Sequence, residues 1–270
     1  MTQAAESATL DLSGEASVPT RRSETLLIAL AQPATSPSDI AGNAERHAEA
    51  IRSAQARLIL FPELSLTGYR LQAPALELDD PRLQPLIDAA RDCRSIAIVG
   101  APTRDGEGRE FISSIRVHDG SADVVYHKRT LHAPELNRFA PGRAARTITV
   151  DGWKVGMSIC KDTSASVHTS DLARLDVDLY AAGVVHSPEE FDEQSARGFV
   201  AARACRAYAA FASFAGRAGA VYPHTCGRST IWGPDGEVLA AAGDQTGEVV
   251  RHQLTSSRLS ATRTPAANCS

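Results

Sequence analysis

Short apolar runs recur along the chain, and the segments between several of them bring apolar residues back every three or four positions. The runs predict strands at 26–32, 57–61, 95–101, 111–118, 122–127, 146–150, 154–159 and 178–185, then at 210–217, 229–232, 237–241 and 247–252. The helical spacing predicts helices over 40–55, 82–94, about 168–175 and about 194–209. Turns are expected at Asp119-Gly120, Asp151-Gly152 and Gly233-Pro234-Asp235-Gly236. The order is β-α-β over 26–61 and 57–101, a block of short strands, then β-α-β again over 154–185 and 178–217. That order predicts one layered α/β or α+β domain over 25–255, without an internal repeat or a central linker. Residues 1–24 lack periodicity and are expected to form a disordered arm, and residues 256–270 a loose tail.

Composition narrows the function. The 270 residues are 43% hydrophobic and 22% charged, a globular balance. The apolar runs are short, six residues at Leu26–Ala31, where a membrane span needs about 20. With 28 basic against 32 acidic residues and no basic block, there is no electrostatic case for nucleic acid or an anionic membrane as partner. The first 24 residues contain no apolar core of a secretory signal, and the five cysteines show no C-x-x-C pair. Reduced thiols in the cytoplasm are therefore expected, with no disulfide framework and no zinc cluster. No H-E-x-x-H, phosphate loop or G-x-S-x-G elbow is present, so neither a metal nor a cofactor is implied. Only three of the 28 basic residues are lysines: Lys128, Lys154 and Lys161. In a chain so biased to arginine, the three lysines form a short list of places where a compact amine could be needed.

Three chemically complementary residues follow predicted strands, where crossover sheets tend to place their chemistry. Glu63 follows 57–61, Lys128 follows 122–127 and Cys160 follows 154–159. A thiol nucleophile, a carboxylate that takes and returns a proton, and an ammonium for the oxyanion make a complete set for covalent acyl transfer. Taken singly, each has a plainer reading: a turn carboxylate, a surface lysine, a packed thiol. Cys226, near His224, is a rival nucleophile.

The motifs resemble the nitrilase (carbon–nitrogen hydrolase) superfamily. The residues that carry the resemblance are Phe61-Pro62-Glu63-Leu64 with Thr67-Gly68-Tyr69, Tyr126-His127-Lys128-Arg129, and Gly156-Met157-Ser158-Ile159-Cys160-Lys161-Asp162. Glu135 through Gly142 also resembles a family segment, as do Ala201-Ala202-Arg203-Ala204 and Gly227 through Glu237. The resemblance implies an α-β-β-α sandwich with a Glu-Lys-Cys triad. Glu63 would be the general base, Lys128 the oxyanion-stabilising amine, Cys160 the nucleophile, and Glu135 a second glutamate positioning lysine and substrate. It implies a thiol hydrolase that cleaves a linear amide through a thioester. A nitrile or N-carbamoyl substrate, transfer of the acyl group to an amine, and a non-catalytic binding protein are the alternatives. The backbone N–H of Lys161 is the natural second oxyanion donor. The family also implies a homodimer or larger homo-oligomer, pairing near the helix at 194–209, with Phe199, Tyr208 and Phe211 available to bury.

One stretch departs from the family. The pattern Cys-x-Asp-x-Arg-Phe-Pro-Glu reads here as Cys160-Lys161-Asp162-Thr163-Ser164-Ala165-Ser166-Val167. Asp162 is kept and the arginine is lost. Lys161 is the sequence-local replacement for that positive charge and would favour an acidic substrate; its plain alternative is a side chain in solvent. His186, after the strand at 178–185, is a further pocket candidate.

Overall fold

The computed structural model describes residues 22–256. The arm expected over 1–24 lies outside these residues except for its last three, and the tail expected over 256–270 lies outside them from residue 257. Arg22 and Ser23 are packed: the Arg22 guanidinium sits 4.3 Å over the Trp153 ring and donates to Asp178 at 2.8 Å, and Ser23 N–H donates to the Asp151 carbonyl.

The first half of the chain supplies five strands of one sheet and its helices. Strand β1 (Thr25–Ala31) leads into helix α1 (Ile40–Ala54), whose N-terminus is capped by Asp39 accepting from Gly42 N–H at 3.0 Å. Strand β2 (Leu58–Leu60) follows, then a 3-10 turn at Pro81–Leu83 that runs into α2 (Gln84–Asp92). Strands β3 (Ile96–Arg104), β4 (Glu110–His118) and β5 (Ser121–His127) complete this half.

The second half repeats the plan with β6 (Thr147–Val150), β7 (Trp153–Ile159), α3 (Ser166–Arg174), β8 (Leu179–Val184), α4 (Phe191–Cys205) and β9 (Tyr208–Ser213). Short strands β10 (Ala215–Gly216) and β11 (Thr225–Cys226) pair with each other. Strands β12 (Thr230–Trp232), β13 (Val238–Ala241) and β14 (Val249–Thr255) close the described chain.

Two six-stranded sheets result, in the orders β14-β1-β2-β3-β4-β5 and β13-β12-β9-β8-β7-β6. Side-chain alternation assigns the layers. Leu26, Ile28 and Leu30 of β1 enter the large core that also holds Val155, Met157 and Leu179 of the opposite sheet. Ala29 and Ala31 face the other way, into the core formed with α1 and α2. Trp153, Tyr180, Phe211 and Trp232 fill the second sheet's share of the interior. Helices α3 and α4 cover that sheet's outer side, giving the α-β-β-α layering.

Two expectations need adjustment. The run at 210–217 is not one strand: β9 ends at Ser213, and Gly216, at φ 73°, lies in the short β10. The helix expected to reach residue 209 ends at Cys205, with Arg206 in the left-handed conformation. Tyr208 and Phe211 therefore belong to β9, and Phe211 is fully buried in the molecule's own core rather than available to a partner.

Candidate active site

Strands β1, β2, β3 and β5 point the same way in the first sheet, and β7, β8 and β9 run parallel in the second. Glu63, Lys128 and Cys160 all lie just beyond C-terminal strand ends, and the structure brings them together.

Glu63 is carried by the turn after β2, a segment buried throughout between the two sheets. Two glycines make room for it. A Cβ on Gly100 of β3 would stand 2.3 Å from Leu64 N, and one on Gly183 of β8 would stand 2.7 Å from the Phe61 carbonyl oxygen. The turn is fixed further by Leu66 N–H donating to the Gly100 carbonyl and by a contact of 2.9 Å between Ser65 Oγ and His47 Nε2.

Lys128 is completely buried, and its ammonium donates to Glu63 Oε1 at 2.6 Å and to Glu135 Oε1 at 2.7 Å. Glu135 is equally buried and well satisfied: Oε1 also accepts from Tyr69 OH at 2.7 Å, and Oε2 from His132 N–H at 2.8 Å. The sequence reading names Glu135 but misses Tyr69 as its partner, although Tyr69 stands in the Thr67-Gly68-Tyr69 motif.

Cys160 sits where β7 breaks into a 3-10 turn, Cys160–Ser164, with φ at 38°. A side-chain-bearing residue rarely adopts that backbone region, and such strain is typical of sites where a group must be presented sharply. Its thiol donates to the Val185 carbonyl at 3.5 Å. The Lys161 N–H lies in the first turn, where backbone donors have no partner within the element.

Asp162 is the residue whose role the sequence left undefined. Its Oδ2 accepts from Tyr126 OH at 2.7 Å and from Ile159 N–H at 3.1 Å. Its Oδ1 accepts from Thr130 N–H at 2.7 Å and Arg129 N–H at 3.2 Å. One buried carboxylate thus ties the Cys160 turn to the backbone just after Lys128. Its retention beside the nucleophile was the available signal.

The electrostatics follow from burial. Burial raises the Glu63 carboxyl and Lys128 pulls it back, with Glu135 opposing, leaving Glu63 pushed up to about 7. Burial also raises the Cys160 thiol well above its usual range, and the nearby Glu63 charge adds to this. For Lys128, burial disfavours the ammonium, but Glu63, Cys160 and Glu135 outweigh it and keep the amine protonated. Burial therefore favours the thiol over a free thiolate and raises the neighbouring carboxyl toward neutral pH. Glu63 Oε2 is buried and has no hydrogen-bonding partner among the described residues.

The other candidates resolve differently. His186 is buried and held between Gln194 Oε1 at 3.0 Å and Arg197 Nη1 at 3.1 Å. Cys226 is buried and donates to Gln194 Oε1 at 3.4 Å, while His224 is exposed, so the pair does not assemble a nucleophile and base. Lys161 is half-buried next to Cys160. Among the described residues no group of His, Cys, Asp and Glu is arranged to hold a metal ion.

The carbon-nitrogen hydrolase family model matches residues 27–264. The chain belongs to the carbon–nitrogen hydrolase family. A Pseudomonas protegens protein described as "Hydrolase in pqqF 5'region" is 28% identical over 231 residues, covering 82% of this chain and 80% of the relative. An (R)-stereoselective amidase from a Pseudomonas species is 30% identical over 158 residues, covering 56% of this chain and 57% of the relative. Among solved structures, a mutant of the Nesterenkonia AN1 amidase from the nitrilase superfamily superposes with a TM-score of 0.77 at 22% identity, covering 88% of this chain and 94% of that one. This carbon–nitrogen hydrolase thus shares the nitrilase fold, and it is an enzyme of the hydrolase class acting on carbon–nitrogen bonds.

Proposed function

We propose that this carbon–nitrogen hydrolase is a cofactor-free cytoplasmic amidase that opens a small linear amide through a Cys160 thioester. The observation that carries the reading is the division of labour at Glu63. Its Oε1 is committed to Lys128, while Oε2 is buried and unpartnered, close enough to Cys160 for the two titrations to influence each other. An unpaired buried carboxylate oxygen beside a thiol is a ready proton acceptor.

The chemistry then follows from the donors and acceptors. The Cys160 sulfur attacks the amide carbon as its proton passes to Glu63 Oε2. The carbonyl oxygen becomes an oxyanion. An ammonium has three protons, and Lys128 uses two on Glu63 and Glu135, so the third is available to that oxyanion together with the Lys161 N–H. Glu63 returns the proton to the leaving nitrogen, ammonia or an amine departs, and the acyl group remains on sulfur. Water attacks the thioester and gives a proton to Glu63. As the carboxylic acid leaves, that proton restores the thiol. Glu135, which touches Lys128 but not the thiol, is a positioning residue, and Tyr69 and His132 N–H hold it in turn.

The amidase named among the relatives and the Nesterenkonia amidase, one structure of which shows acrylamide added to its active-site cysteine, support the amide over the nitrile or carbamoyl substrate. The test is an ammonia-release screen across amides, nitriles and N-carbamoyl compounds, run on wild type and Cys160→Ala. Amide turnover that disappears in Cys160→Ala is expected. Turnover confined to nitriles or carbamoyl compounds overturns the substrate assignment, and turnover surviving in Cys160→Ala overturns the mechanism.

A further inference from the structure

Two polar residues lie in the buried stripe of α1. Asn43 and His47 stand four positions apart and share that stripe with Ala44, Ala48 and Ile51; all five are fully buried. A buried polar side chain costs stability unless it is hydrogen-bonded. Here the bonds lead to the segment that carries Glu63. Asn43 Nδ2 donates to the Leu66 carbonyl at 2.9 Å, and His47 Nε2 lies 2.9 Å from Ser65 Oγ.

The tautomer of His47 follows from its second contact. Nδ1 lies 2.7 Å from the Asn43 carbonyl, which can only accept, so Nδ1 carries the proton and Nε2 offers a lone pair. Ser65 therefore donates its hydroxyl proton to Nε2, and its Oγ is left to accept from Gly100 N–H at 3.3 Å. Burial pushes the imidazole down to about 4, which keeps it neutral around pH 7 and preserves the direction of that hydrogen bond.

His47 grips the turn on both sides of the glutamate. Its ring stacks on Phe61, with centroids 4.2 Å apart and planes at 24°. Phe61 stands two positions before Glu63, and Ser65 two positions after it. Between them Leu64 is held at φ 53°, a left-handed conformation that a side-chain-bearing residue keeps only where its surroundings enforce it. Ser65 N–H closes the turn on the Pro62 carbonyl at 3.2 Å. Strand β3 holds the same segment: Gly100 gives its N–H to Ser65 Oγ and takes Leu66 N–H on its carbonyl. The Glu63 turn is thus clamped between α1 and β3. Glu63 Oε1 stands 2.6 Å from the Lys128 ammonium, so a small shift of the turn changes which groups the carboxylate meets.

We propose that His47 is a positioning residue for the general base: through the Ser65 hydroxyl and the Phe61 ring it fixes where Glu63 stands relative to Cys160. This rests on the reading of Glu63 as the base, and it assigns the control of that base to helix α1. His47 touches neither the thiol nor Lys128; it acts through the turn alone.

Amide kinetics, the rate at which iodoacetamide alkylates Cys160, and thermal unfolding test it together. His47→Phe keeps a ring against Phe61 but cannot accept from Ser65, and Ser65→Ala removes the hydroxyl from the other side. Each should lower kcat about tenfold with KM little changed, and slow alkylation in proportion. The double variant should be little slower than His47→Phe, because the two residues act through one hydrogen bond. His47→Gln, whose Oε1 can take the same proton, should recover most of the loss. Ile51→Ala, one turn further along α1, should lose stability and keep the rate. Wild-type rates in Ser65→Ala and His47→Phe overturn the proposal. So does a His47→Gln no faster than His47→Phe, or a rate loss that follows the unfolding temperature through Ile51→Ala as well. If His47→Phe does not fold, Ser65→Ala alone against Ile51→Ala decides it. Glu63→Gln separates the two levels. Alkylation and turnover at wild-type rates there would remove the general-base reading and the proposal with it, whereas a slow Glu63→Gln beside a wild-type Ser65→Ala removes the proposal alone. If no amide is turned over, the alkylation rates decide by themselves.

Discussion

Glu63 and Lys128 carry the proposed proton chemistry from a fully buried position. Glu63 is buried, so its carboxyl is pushed up to about 7 despite a lysine at 2.6 Å. The amidase account needs it ionised to accept the thiol proton. Hence kcat/KM for an amide should fall as pH drops below about 7 and level off above it, with Glu63→Gln lowering the rate 100-fold or more at every pH. A profile flat from pH 5 to 8 would show that another group takes the proton. Lys128, proposed to serve the oxyanion, also bears on stability. Lys128→Met leaves two buried carboxylates without their common cation, a loss of about 3–5 kcal/mol. Protonation relieves that repulsion, so the destabilisation should shrink from pH 8 to pH 5; thermal unfolding at both values checks it. The sequence could name these residues because their types are complementary and they stand at equivalent strand ends. It could not show that Glu135 shares the ammonium or that Tyr69 and His132 N–H hold Glu135: Tyr69 lies 66 positions away, and the segment from Lys128 to Glu135 has no regular period from which its nearer contacts could be read.

At the scale of elements, the site depends on the Glu63 turn fitting between two sheets. Gly183 on β8 and Gly100 on β3 leave that space. Gly183→Ala should cost about 1–3 kcal/mol and displace the turn, lowering amide turnover more than a matched alanine elsewhere in β8. Denaturant unfolding together with steady-state rates separates the two effects, and a variant with wild-type stability and rate contradicts the packing argument. The β-α-β halves were legible because apolar runs and helical spacing alternate cleanly. The two-residue strands β10 and β11 were not, because two residues carry no period. Nor could alternation reveal that β14 returns to pair with β1, a register between residues more than 200 positions apart that only the closed sheet specifies.

For the whole molecule, the outer helical layer of the second half leaves apolar side chains exposed. Val167 of α3 is 64% exposed, and Phe199 and Val200 of α4 are 48% and 55% exposed. Exposed apolar side chains on these two helices suit burial against another copy of the chain. Of the three residues expected to serve it, Phe199 alone remains open, since Phe211 is in the core and the Tyr208 hydroxyl is bound to Thr255. We infer a homo-oligomer through α3 and α4. Sedimentation at micromolar concentration should show a dimer or larger species that Phe199→Glu dissociates; a wild-type particle of 28.6 kDa alone would refute it. The central claim is the covalent one, and acid-quenched intact mass with peptide mapping during amide turnover reads it directly. The account predicts a mass gain equal to the acyl group, confined to the peptide bearing Cys160 and absent from Cys160→Ala. An acyl group on the Cys226 peptide, or undiminished turnover by Cys160→Ala, would contradict it.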